Sequence, residues 1–271
     1  MTHATSPNPP LAAALRPQRT TMPALTIPSR FCGPPGSGNG GYACGRIAAY
    51  LGGQATVTLR RPPPLATPMA AERDGEDPLR IYHGRILIAE ATPSPGSPAL
   101  EMPGPVSLAE AHASAGRARY YSDPFFPACF VCGPDRQAGD GLGIFPGPVA
   151  GRSLWAAPWT PDPSVCDASG RVWPEVVWAA LDCPSGIASA EAAGLAQDTA
   201  ILLGRMTANV AVLPVAGGQY RVIAWPSGRD GRKLTAGSAL LGPGGRVLAA
   251  ASALWLTVPR SVLALAAEGT S

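Results

Sequence analysis

The sequence predicts an α+β fold in which a helix followed by antiparallel strands occurs twice. Three observations carry this. Among 271 residues, glycine and proline number 32 each while 46% of the chain is hydrophobic and only 14% charged, which favours short strands and turns around a large core over a helical bundle. Each half places a glycine-flanked apolar helical segment ahead of alternating, β-rich segments. Finally, GRILIAEA at 84–91 matches GRVLAAAS at 245–252, each the last strong strand of its half, which points to an internal duplication.

In chain order, residues 1–25 mix Pro, Ser, Thr and Ala without period and read as a disordered tail. An N-terminal unit spans 26–92. Its helix runs from Tyr42 to Leu51, with Asn39 as N-cap, Ile47 and Ala48 on the apolar face, and Gly52-Gly53 as its stop. Strands are predicted at 54–60, 68–73 and 79–91, the second separated from the first by the Pro62–Pro64 run. Residues 93–125 are rich in Pro, Ser and Gly and read as an inter-domain linker with a weak helical patch at 108–118.

The C-terminal unit is placed at 126–260, with 261–271 as a tail. After a strand at 153–159 comes its central element, WPEVVWAALDCPSGIASA at 173–190, where Val176, Val177, Ala179, Ala180 and Leu181 build an apolar helical face and Glu175 suits the positive helix end. Asp182 interrupts that face. Pro184 cannot donate to the helical ladder, so a kink or restart is expected there, with Asp182 or Cys183 capping the next turn. Strands are predicted at 206–213, 219–225, 233–241 and 246–257, separated by glycine-rich turns.

Several function classes are disfavoured. A net charge of +3 spread along the chain offers no footprint for nucleic acid. No apolar run reaches the roughly 20 residues of a membrane span, and no basic-then-apolar leader opens the chain, so no membrane partner and a cytoplasmic location are expected. GSGNGG at 36–41 satisfies the dinucleotide glycine pattern, but Pro34-Pro35 blocks a strand into it and no acidic residue follows about 20 positions on. With histidine only at 3, 83 and 112, and no GxSxG elbow, a Ser-His-Asp hydrolase has nothing to build on.

The segments GNGGYACGRIAAYLGG and VTLRRPPPLATPM, with PEVVWAALDCPSG, GRMTANV and GRVLAAASALW in the second half, resemble hotdog-fold acyl-CoA thioesterases of the phenylacetate-type group in a double-hotdog arrangement. The resemblance covers roughly 26–92 and 140–258. It implies an acyl thioester bound where two units meet, no cofactor beyond the coenzyme A of the substrate itself, and sheets that often pair further, so that a homodimer is admitted. Carried residue by residue, it implies Asp182 as the carboxylate that activates water or attacks, Asn39 as the assisting amide, Gly40 and Gly41 as backbone donors at a helix N-terminus, and Thr207 as a water-orienting hydroxyl. The first helix has no acidic residue, so one working site per chain is expected. The alternative is a non-catalytic module that holds an acyl chain or coenzyme A ester.

Arg232 and Lys233, in the basic loop at 229–233, suit either coenzyme A phosphates or a solvated hairpin tip. All six tryptophans fall in the second half, as acyl-tunnel wall or core. Cys129 and Cys132 form the only CxxC; a turn with buried thiols is preferred over half of a metal site completed by Cys32 or Cys166, and no metal ligand is assigned.

Overall fold

A computed structural model describes residues 19–94, 96, 100–261 and 263. Its elements are β1 (Arg19–Leu25), α1 (Gly40–Ala48), β2 (Ala55–Leu59), β3 (Met69–Asp74), β4 (Leu79–His83), β5 (Ile86–Pro93), α2 (Leu108–Ser114), β6 (Gly147–Pro148), β7 (Trp155–Trp159), α3 (Pro174–Ala192), β8 (Thr199–Val210), β9 (Tyr220–Asp230), β10 (Lys233–Leu241) and β11 (Val247–Pro259).

One 11-stranded antiparallel sheet runs β1-β3-β4-β5-β2-β8-β11-β10-β9-β7-β6. Each half repeats one topology: a strand, a helix, then four strands whose last lies beside their first. Thus β1, α1 and β2–β5 correspond to β7, α3 and β8–β11, and the two matched sequence segments lie on β5 and β11. The halves join where β2 pairs β8, Thr56 opposite Thr207. Alternation buries one side of each strand, as Ala55 and Val57 on β2, or Met206 and Ala208 on β8, in a single core beneath α1 and α3.

Three readings of the sequence are corrected. The expected tail to residue 25 contains β1, whose residues from Arg19 to Leu25 pair with β3; residues 1–18 lie outside the described residues, as does most of 261–271. The helical patch expected at 108–118 is α2, held by a capping box between Ser107 and Glu110, but it packs on β7 and β9, so this stretch is part of the folded body and not a free linker. Lastly, α3 runs through Pro184 as one 19-residue helix. Proline removes one donor from the ladder, but α3 is buried from Val176 to Asp182 and from Pro184 to Ser189, and neighbouring carbonyls gain donors: Ser238 Oγ reaches Leu181 O at 2.8 Å and Ser185 Oγ reaches Asp182 O at 2.7 Å. Packing on the sheet outweighs the local preference. Asp182 is therefore in mid-helix and caps no turn of its own. Among the described residues no helix is long and apolar enough to cross a membrane.

The two helices cross in opposite directions and almost touch. A Cβ on Gly41 would lie 2.4 Å from Asp182 Cβ and 2.7 Å from Trp178 O; one on Gly45 would lie 2.6 Å from Glu175 Cα. Backbone cannot yield as a flexible side chain can, so Gly45→Ala is expected to destabilise the protein by about 1–3 kcal/mol, despite the roughly 1 kcal/mol that alanine gains in helix propensity. Urea denaturation measures this, and an unchanged or raised midpoint would show that the helices are not in contact at Gly45.

Candidate functional site

The close approach brings together residues 143 positions apart. Asn39 caps α1, its Oδ1 accepting from Tyr42 N at 2.9 Å, while its Nδ2 donates to Asp182 Oδ2 at 3.0 Å. The same Oδ2 accepts from Gly41 N at 2.9 Å. Asp182 thus serves as acceptor for the N-terminus of the other helix, where unpaired N–H groups and the dipole favour negative charge. Its Oδ1 is buried without a partner. Burial pushes the Asp182 carboxyl up to about 7, opposed by the hydrogen bond from Gly41 and that from Asn39, and reinforced by Cys129.

Asn39, Gly41 and Asp182 are therefore brought together. Gly41 N–H is already engaged, whereas Gly40, half-buried, stands at the first position of α1, whose N–H has no acceptor within the helix. Thr207 does not join them. Met206 and Ala208 face the core beneath the helices, so the period of two turns Thr207 to the other face, where its Oγ1 lies 2.8 Å from Thr56 Oγ1 across the strand junction. Arg232 and Lys233 are exposed at the β9–β10 tip, and Arg232 Nε donates to Thr257 O at 3.2 Å. Beside that tip, Arg229 ties the hairpin to the C-terminal end of α3 by donating to Ala193 O.

Sequence reasoning missed the neighbours on the far side of Asp182. The segment 126–142 folds against the Asn39 turn: Phe130 N donates to Cys32 O, Phe130 meets Phe31 edge-on, and Arg136 donates to Arg30 O and Ala128 O. This carries Cys129 and Cys132 to α3, where the third thiol is Cys183. Cys129 Sγ lies 3.6 Å from Cys183 Sγ, and Asn39 Nδ2 is 3.5 Å from the latter. Neither Cys32 nor Cys166 takes part; Cys32 bonds Ala128 O and Arg136, and Cys166 bonds Asp162 O. The helical signal was available, since Cys183 directly follows Asp182, but its partner is set by a loop.

Cys132 and Cys183 form the floor of a groove of about 840 Å³ including its mouth, walled by Tyr120, Phe125, Phe126, Ile187, Ile201 and Trp255 with Arg119 and Asp123 at the rim. Of the tryptophans, Trp255 lines this groove. Trp155, Trp159, Trp178 and Trp225 are core residues, so the row of tryptophans is mainly packing. The groove is apolar, ends one residue from Asp182, and suits a hydrophobic ligand with a polar end.

No protein-family model and no curated protein matches the chain. Solved structures do match. A protein of Novosphingobium aromaticivorans, provisionally described as a thioesterase, superposes with a TM-score of 0.53 at 14% identity over 86% of this chain and 94% of its own. The tesB protein of Mycobacterium avium subs paratuberculosis superposes with a TM-score of 0.51 at 12% identity over 91% of this chain and 96% of its own. The chain therefore has the double-hotdog fold of these two structures across nearly its whole length. At such identities the likeness is one of fold.

Proposed function

We propose that the protein binds an acyl thioester, with its acyl group in the Cys132–Cys183 groove, and hydrolyses it beside the crossing of α1 and α3. The observation that carries this reading is the buried Asp182 carboxylate held at the N-terminus of α1 with Asn39. Asp182 takes the proton of the attacking water, and its partnerless Oδ1 is the oxygen free to do so. Asn39 holds the carboxylate in place. The Gly40 N–H polarises the thioester carbonyl, with the positive end of α1 behind it. The bond that breaks is acyl carbon to sulphur; the products are a carboxylic acid and a thiol.

A second reading, an acyl-thioester binding module, is favoured by one observation: Asp182 Oδ2 and Gly41 N–H already satisfy each other, and the helices leave no space between them. Incubation with a panel of acyl-CoAs, following free thiol, separates the two. Saturable turnover is expected; saturable binding with no thiol release establishes the module instead.

Coenzyme A carries phosphates, which arginine and lysine bind. Changing both Arg232 and Lys233 to alanine is expected to raise KM several-fold with kcat unchanged, since the exposed hairpin tip touches no reacting atom. An unchanged KM at low salt assigns the loop to solvent.

A further inference from the structure

We infer that Cys129, Cys132 and Cys183 form a metal site that takes one Zn²⁺ ion. All three sulphurs lie within 4.8 Å of one another, Cys129 and Cys132 being buried residues and Cys183 half-buried at the groove. Two thiolates on one tetrahedral zinc, each at about 2.3 Å, stand roughly 3.8 Å apart; the Cys129–Cys183 separation is 3.6 Å. All six cysteines are free thiols, so no disulfide occupies these sulphurs.

The turn that carries two of them has a fixed form. Gly133 closes the turn, its N donating to Cys129 O at 2.9 Å, and a Cβ there would meet Cys129 and Pro127 backbone atoms at 2.5 Å. The third ligand comes from α3, so the ion would tie segment 126–142 to the helix at the residue next to Asp182.

The buried oxygens Asp182 Oδ1, one residue before Cys183, and Tyr121 Oη have no hydrogen-bond partner. Buried polar atoms are seldom left unpaired. No fourth histidine, cysteine or carboxylate among the described residues joins the set, and Cys132 and Cys183 face the groove. Water from the groove completes the tetrahedron, the arrangement of a zinc site with one open position. On binding, each thiol releases its proton to solvent, and three thiolates with Zn²⁺ leave one net negative charge.

The test needs no thioester turnover, so it stands or falls apart from the hydrolase reading. The full chain, reduced and stripped with a chelator, is titrated with Co²⁺. One equivalent per chain is expected, with thiolate-to-cobalt charge transfer and the strong ligand-field bands of tetrahedral cobalt, all displaced by Zn²⁺. Cys183→Ser should weaken binding by more than the roughly 10–100-fold that loss of an outer-shell partner costs, and Cys166→Ser should leave it unchanged. Circular dichroism checks folding, and Cys132→Ala, on the loop and off the helix, gives a second variant should Cys183→Ser misfold. Sub-stoichiometric binding by the reduced wild type, octahedral cobalt spectra, or equal losses in Cys166→Ser and Cys183→Ser would overturn the site.

Discussion

Asp182→Asn is expected to lower acyl-CoA turnover by about 10²–10⁴-fold while leaving the unfolding free energy within about 1 kcal/mol of wild type. The asymmetry follows from which oxygen is used. Both hydrogen bonds, from Gly41 N and Asn39 Nδ2, end on Oδ2. An asparagine with its Oδ1 in that place keeps both, and its amide nitrogen takes the position of the partnerless oxygen, where a base is needed. Asp182→Ala behaves differently. It strands Gly41 N–H and the Asn39 amide in the core, and each buried unpaired group costs roughly 1–3 kcal/mol, so stability and turnover fall together. Kinetics and urea denaturation on the two variants decide the matter: an asparagine variant that keeps full turnover per folded molecule leaves Asp182 with a capping role alone.

The fold was legible because its signals are local. Two glycine-flanked helices ahead of alternating strands, and one matched pair of segments, suffice for the repeated topology that β5 and β11 end. What escaped was decided by distant partners. β1 carries Pro23 and threonines and sits at the outer edge of the sheet, where only its pairing with β3 makes it a strand. Pro184 obeys a local rule that the burial of α3 on two sides overrides.

The same division runs through the candidate site. Asn39 as cap was readable from its place before Gly40; that its other amide atom reaches Asp182 depends on glycines letting two helices meet. Thr207 was misplaced because a bulge in the β8–β11 pairing, between Leu203 and Arg205, resets which side chains face the helices. No periodicity in the sequence announces it. Cys183 was invisible as a neighbour of Cys129 because the two are 54 positions apart and the chain between them folds back through the loop that Arg136 and Phe130 hold against the Asn39 turn.

The largest expected loss of stability is at Trp178. It lies on α3 at 1% exposure, among the largest fully buried side chains, with its Cβ 3.0 Å from where a Gly45 Cβ would stand. Trp→Ala in a core typically costs about 3–5 kcal/mol, of which the part beyond lost transfer energy depends on whether neighbours can collapse into the space. Here α1 presents Gly41 and Gly45 toward α3, and neither has a side chain to move. The expectation for Trp178→Ala is therefore the upper part of that range, a large fraction of the roughly 5–15 kcal/mol that holds a typical domain together. Trp178→Phe should lose less, because a ring still fills part of the space the indole occupies in the core. Since the helix spacing also fixes the 3.0 Å Asn39–Asp182 contact, turnover per folded molecule should fall in both variants in the same order as stability. Urea denaturation of the two gives the comparison, and a Trp178→Ala loss under about 1.5 kcal/mol would mean that the cavity does collapse and that the α1–α3 distance is not held by this side chain.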